Sequence, residues 1–427
     1  MHAGKVPSLL LKNARQVLTL AGPSEPRRGR ALQELGIIRG GGVLIQGGKI
    51  AAAGSSRTVE ARARALKAEA IDCRGCVVMP GFVDSHTHLV FAGARLDDFE
   101  RKIQGKSYEQ IARAGGGIQL SARQVSETKL GALAAQADAF LNRMALHGTT
   151  TVEAKSGYGL DVANELKQLE ALAMLRRRAA LEIVPTLLAA HALPGKFSGR
   201  REKYLRTVEV ELIPRVAKRK LAEFADCFCD REAFTVAECR SVLATARRFG
   251  LVPRIHTGQF ARAGGIRLAI EVAAASADHL DHATTPDIRA LARSNVTATL
   301  VPGANFHLGL DRFPPARRMI DAGVAVALAT DFNPGTSPTL NMQFVLSLAC
   351  AYLRMSPAEA IVASTANAAY SLRRSHRLGS LEPGKDADVI VMDVDDYRAI
   401  PYYAGWNHCA MTIKRGQIVC SRMKHHA

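Results

Sequence analysis

Eight short apolar or β-branched runs, each closed by a polar tip and followed by a helix-patterned stretch, fill the middle of this chain. They are CVVMPGFVDSHTHL, HGTTTVEAKSGYG, LEIVPTLLAAHALP, LAEFADCFCD, LVPRIHTGQF, SADHLDH, VTATLVPGANFHL and GVAVALATDFNPG. Amphipathic segments such as KLGALAAQADAFLNRMALHG, VANELKQLEALAMLRRR and TVAECRSVLATARRFG lie between them. Strands that alternate with helices make parallel βαβ units, and eight such units close a (β/α)8 barrel of the TIM type. The runs are largely apolar, as strands covered on both faces require. The expected fold class is α/β.

The ends of the chain read differently. SLLLKNARQVLTL and GVLIQGGKIAAAG precede the barrel pattern; LGSLEPGKDADVIVMDVDD and CAMTIKRGQIVCS follow it. These are short strand patterns with glycine turns. With 427 residues, the chain exceeds the length at which one core usually stops growing. Residues 1–78 and 377–427 are therefore expected to build one composite small β-domain, and 79–376 the barrel.

Composition narrows the function classes. No apolar stretch is long enough to span a bilayer, and the first residues lack the apolar core and cleavage site of a signal peptide, so a cytoplasmic protein is expected. The net charge of +18 is spread over RRGR, MLRRRAA and PRVAKRK, in separate segments without interleaved aromatics. That pattern predicts a solvated basic surface rather than a nucleic-acid groove. The cysteines offer one C-x-x-C pair, Cys73 with Cys76, and no second pair to complete a zinc site. Cys227 and Cys229 share a strand face as packing, and no disulfide framework is expected.

The strand tips carry the chemistry. They bear His86 and His88, Lys155 and Tyr158, His191, Asp230, His256, His279, His307 and Asp331. In a barrel of this type the C-terminal strand ends converge on one site. Side chains alternate along a strand, so Asp84, His86 and His88 would point the same way. Two imidazoles with a nearby carboxylate suit zinc or iron; taken alone, the same residues also fit surface histidines at a strand end.

The barrel pattern, the H-x-H motif, His256, His279 and Asp331 together resemble the amidohydrolase superfamily. Within it, the chain closely resembles the imidazolonepropionase family over essentially its whole length. PGFVDSHTHLVFAGAR, GKSYEQIARAGGGI, TTTVEAKSGYGLD, AAHALPGKF, SADHLDH and ALATDFNPGTSPT carry the likeness. The resemblance implies a metal-dependent hydrolase barrel in which His86, His88, His256 and Asp331 hold one zinc or iron ion. It implies that His279 and Asp331 move protons and that Arg95 clamps a substrate propionate. Tyr158, His191 and Gln259 would contact the substrate, and Asn333, Gly335 and Thr336 would bind its ring and the new carboxylate. The implied reaction, part of histidine catabolism, hydrolyses the cyclic amide of 4-imidazolone-5-propanoate to N-formimino-L-glutamate. The implied partners are that small molecule and a second copy of the chain, with neither nucleic acid nor membrane.

Several residues take lesser roles. Lys155 is read as part of the KSGYG loop, not as a carboxylated lysine bridging two metals. Gly115–Gly117 is read as a substrate-covering loop, Asp84 as a strand-end neighbour open to partnering a ligand histidine, and His282 and His307 as neighbours of the site. His425 and His426 form an exposed tail. One departure stands out: Thr257 and Gly258 replace the pair, one of them acidic, that the family commonly places after the fifth-strand histidine. It keeps two alternatives open, a sister amidohydrolase or deaminase acting on a related cyclic amide or heterocycle, and a catalytically silent relative that binds a metabolite or nucleic acid.

Overall fold

The computed structural model describes residues 8–106, 108–231 and 233–423, so the His425–His426 tail lies outside the described residues. Their strands form two eight-stranded sheets. The first draws on both ends of the chain: β1 (Leu9–Leu18), β2 (Ile37–Gln46), β3 (Lys49–Ser55), β4 (Glu69–Asp72) and β5 (Val77–Pro80) precede the barrel. The barrel strands are β6 (Phe82–Asp84), β7 (Thr149–Lys155), β8 (Glu182–Ala190), β9 (Phe224–Cys229), β10 (Val252–Thr257), β11 (Ser276–His279), β12 (Thr297–Leu300) and β13 (Val326–Leu328). Then β14 (Val389–Met392), β15 (Cys409–Lys414) and β16 (Gln417–Ser421) return to the first sheet.

That first sheet runs β16-β15-β14-β5-β1-β2-β3, with β4 beside β1. Its hairpins are the glycine turns of the sequence. Gly47 and Gly48 join β2 to β3 with φ of 58° and 79°; Arg415 and Gly416 join β15 to β16 with 47° and 76°. Two consecutive residues of positive φ define the two-residue turn whose twist matches the strands it joins. Leu9, Leu11, Val17, Val43, Ile45, Val389, Val391 and Ile413 pack as its core.

The barrel strands lie in chain order from β6 to β13, every neighbouring pair parallel. The run CVVMPGFVDS is divided between the sheets: β5 belongs to the small sheet and β6 to the barrel, with only Gly81 between. A Cβ at Gly81 would overlap the Thr150 side chain, so the crossing needs glycine. Beyond the strand ends, the seam between β13 and β6 is closed by Asp331 N donating to His86 O (3.0 Å) and His88 N donating to Phe332 O (2.9 Å). The seventh run also divides. β12 stops at Leu300, and Pro302 opens a short helix, Pro302–Leu308, that ends on Gly309 in the left-handed region. His307 therefore rides a helix and is not a strand tip.

At the other end of the barrel Glu182, the first residue of β8, ties the barrel to the small sheet. Its carboxylate pairs with Arg377 and Arg374 and, across the sheets, with Lys414 (3.4 Å) and Arg415 (3.0 Å). Burial works against its charge, but Arg377, then Lys414 and Arg415, outweigh it and hold the carboxyl down at about 2. A carboxyl depressed by folding stabilises the fold fully above its unfolded value near 4.5, and that stability fades as pH falls through about 2. Glu182→Gln should cost on the order of 3 kcal/mol at pH 7, because it strands several cations around one site. Urea unfolding of both proteins should show the difference shrinking between pH 4.5 and 2; a pH-independent gap would contradict this account.

Candidate metal centre and active site

His86 and His88 follow β6, His256 lies in β10, His279 ends β11 and Asp331 follows β13. All five are buried. Asp331 Oδ1 is 3.4 Å from both His86 Nε2 and His88 Nε2, and His88 Nε2 is 3.4 Å from His256 Nε2. Among the described residues His86 Nε2 and Asp331 Oδ1 are buried without a hydrogen-bond partner. Three imidazole nitrogens and a carboxylate oxygen that converge, two of these atoms unpaired, fit a bound cation, and this donor set suits zinc or iron. His279 sits against the group, its ring 5.6 Å from that of His86 and 5.4 Å from that of His256. Burial, only partly offset by Asp331, lowers His279 to about 4, so its imidazole is neutral at physiological pH.

Two carboxylates hold the far side of the ligand rings. Asp278 Oδ2 lies 2.7 Å from His86 Nδ1. Asp226 Oδ2 lies 3.0 Å from His256 Nδ1, while its Oδ1 accepts the His256 backbone N–H. Such partners fix the ring orientation and turn the other nitrogen's lone pair toward the metal. Burial opposes both charges. Arg254 and then His86 outweigh it for Asp278, as His256 and Lys155 do for Asp226, so both carboxyls stay ionised. The backbone is strained here: His279, Leu280 and Asp331 have φ of 78°, 67° and 52°, a region side chains rarely adopt.

The cavity above the centre is lined by His88, Arg95, Ile118, Tyr158, His191, Phe228, His256, Gln259, Phe260, His279, Asp331, Asn333 and Thr336. Arg95 is buried with its Nε donating to Ser121 Oγ at 2.9 Å, and its guanidinium lies 5.4 Å from the Tyr158 ring centroid. His191 stacks on His88, 5.1 Å away, and its Nδ1 meets Gly157 O at 2.9 Å. A carbonyl only accepts, so Nδ1 carries the proton and Nε2 is left as an acceptor. Burial, with His88 beside it, lowers His191 to about 3 and keeps it neutral. The loop presenting Tyr158 is wound around Glu165, whose carboxylate accepts the N–H groups of Gly157, Gly159 and Leu160.

Sequence and structure comparisons place this geometry. The Amidohydrolase family model matches residues 77–419. An imidazolonepropionase of Chloroflexus aggregans is 44% identical, with 96% of this chain and 98% of that protein aligned. One of Geobacillus kaustophilus is 45% identical, with 96% and 97% aligned. The chain belongs to the amidohydrolase family, among the imidazolonepropionases. Solved structures agree on the fold. An Escherichia coli guanine deaminase superposes with a TM-score of 0.73 at 15% identity, covering 97% of this chain and 99% of its own. An adenosine deaminase from Xanthomonas campestris, solved with bound zinc, gives 0.69 at 18%, covering 97% and 93%.

Against this amidohydrolase site, several expectations need correction. Asp84 is a strand-end neighbour that accepts from the His86 backbone and not from a ligand imidazole: its oxygens also accept Thr330 N (3.0 Å) and Thr330 Oγ1 (2.5 Å), anchoring the strand end before Asp331. The carboxylate on His86 is Asp278, which the motif SADHLDH contains two residues from the strand start. Lys155 is not in a loop; it ends β7, buried inside the barrel. His307 stacks on Phe99, and His282 lines a separate cavity of about 300 Å³ with Arg262. Thr257 and Gly258 also line that second cavity and not the metal cavity, whereas Gln259 lines the latter.

Asn333 is spent on its own loop. Its Nδ2 donates to Asp331 O and Thr336 Oγ1, and its Oδ1 accepts the Gly335 and Thr336 N–H groups. Gly335 packs so closely on Arg95 that a Cβ would overlap its Nη1. Gly335→Ala is therefore expected to displace the guanidinium and raise KM about tenfold with little change in thermal stability. Steady-state kinetics beside a melting curve would check it; an unchanged KM would remove Gly335 from the site's design.

Proposed function

We propose that this amidohydrolase opens the ring of 4-imidazolone-5-propanoate by hydrolysing its cyclic amide to N-formimino-L-glutamate, with one zinc or iron ion held by His86, His88, His256 and Asp331. One observation carries the reading: a buried cluster of imidazole nitrogens and a carboxylate oxygen, with His86 Nε2 and Asp331 Oδ1 unpaired among the described residues, shares its cavity with a buried guanidinium, Arg95. A single pocket thus offers a cation site for a ring carbonyl and a fork for a carboxylate. The names of the relatives aligned over nearly the whole chain support the same substrate.

Bound in this cluster, a metal ion supplies Lewis acidity and makes water a competent nucleophile near neutral pH. The remaining work falls to side chains. Arg95 binds the propionate, and Tyr158, over which it lies, closes the same wall. His191, an acceptor at Nε2, receives a hydrogen bond from a ring N–H, and Gln259 meets the polar ring edge. His279 takes a proton from the attacking water and delivers it to the ring nitrogen as the C–N bond breaks; a neutral imidazole is the form this requires. Asp331 shares that proton handling, while Thr336 and the loop ordered by Asn333 and Gly335 receive the new carboxylate.

The test is hydrolysis of freshly made 4-imidazolone-5-propanoate by purified protein whose metal content is measured on the same sample. Loss of the ring's ultraviolet absorbance with N-formimino-L-glutamate found by mass is expected. Metal-loaded protein without turnover would pass the assignment to a related cyclic amide.

A further inference from the structure

Beneath the ligands lies a layer of charge that the proposed reaction does not use. Lys155 is wholly buried, its Nζ 2.8 Å from Glu153 Oε1, 3.0 Å from Asp226 Oδ2 and 3.9 Å from Asp278 Oδ2. Arg254 is equally buried; its Nη2 donates to Ser85 O (2.8 Å) and lies 3.4 Å from Asp278 Oδ2. Asp278 therefore has two cations within reach, but the ammonium nearest Asp226 is that of Lys155 alone among the described ion pairs.

Each anion around Lys155 leads to a ligand. Asp226 grips His256 and Asp278 grips His86. Glu153 Oε2 accepts the N–H of Thr87 (3.1 Å), the residue between His86 and His88, and Thr87 Oγ1 donates to Glu153 O (2.7 Å). The Lys155 backbone N–H itself donates to Thr87 O at 3.0 Å. We propose that Lys155 is a positioning residue for the metal centre: its ammonium fixes Asp226, Asp278 and Glu153, and through them the three imidazole ligands.

The physical reason is crowding of like charge. Ligand atoms of Asp226, His256 and Asp278 lie within 4.8 Å of one another. Two carboxylates that close, away from water, repel unless a cation stands between them. Without Lys155 they relieve the repulsion by turning apart, and that movement releases the rings they face. A neutral side chain of the same length fills the space but supplies none of this.

The inference rests on the metal centre proposed above, and its test separates the two. Zinc affinity is measured by chelator competition on the full-length protein, for wild type, Lys155→Met, Asp226→Asn and the double variant, with melting curves of the metal-free forms. Lys155→Met is expected to bind zinc about tenfold more weakly or worse, as loss of outer partners does elsewhere. The double variant should be no weaker than the weaker single variant, since the two residues act as one unit. Zinc bound as tightly by Lys155→Met as by wild type, with only the melting temperature lowered, would reduce Lys155 to a packing role and overturn the proposal. Losses that multiply would overturn it too. Wild type that takes up no zinc or iron would instead sink the metal centre itself. Should Lys155→Met fail to fold, Glu153→Gln keeps the ammonium but weakens its anchor: a several-fold loss of affinity is expected, and an unchanged affinity overturns the proposal.

Discussion

Replacing His279 with alanine is expected to lower kcat by about 10²–10⁴-fold while the protein keeps its metal. His279 touches the centre, but it is also close enough to His86 and His256 to count as a ligand: the three offer atoms within 4.8 Å of one another. The two roles predict different results. If His279 moves protons, the variant retains the ion of wild type and loses turnover. If it is a ligand, metal content falls with activity. Measuring kcat and metal on one preparation decides between them, and a metal-depleted variant would transfer His279 to the ligand set.

The second large effect belongs to Arg95. Arg95→Met should raise KM by about 10–100-fold and leave kcat within a few-fold, because a charge-assisted hydrogen bond is worth roughly 1.5–3 kcal/mol. The guanidinium is already oriented, held at Nε by Ser121 and walled by Tyr158 and Gly335, with Nη2 buried and unpaired. Arg95→Lys should not restore binding, since an ammonium lacks the planar fork that meets both oxygens of a carboxylate in parallel. A fall in kcat with constant KM would show that Arg95 serves the transition state and not substrate capture.

Much of this was readable in the chain. The eight runs predicted the eight barrel strands because a two-sided buried strand has to be apolar, and His86, His88, His256 and Asp331 do converge. The layer beneath them was not readable. Glu153, Lys155, Asp226, Arg254 and Asp278 sit within strands, where a charge pointing into the barrel and one pointing out look alike until neighbouring strands are set in register. Asp278 stands in the sequence beside the more conspicuous His279, and nothing in the spacing says that it, rather than Asp84, meets the His86 ring. His307 failed for a local reason: Pro302 turns the strand pattern into a helix before the histidine is reached. Glu165 was hidden because three of its partners are backbone N–H groups, which no side-chain pattern reveals.

The order of strands in the small sheet has a consequence for how the molecule is made. β5 lies between β1, which precedes the barrel in the chain, and β14, which follows it. On the ribosome, Val77–Pro80 thus waits with one edge unpaired until Val389–Met392 emerges. An open edge of Val78 and Met79 is a template for mispairing with another nascent chain. Termination after the barrel but before β14 leaves that edge bare, although every proposed metal ligand has been synthesised once Asp331 is in place. A chain halted before β14 is therefore expected to aggregate more readily than one extended through it.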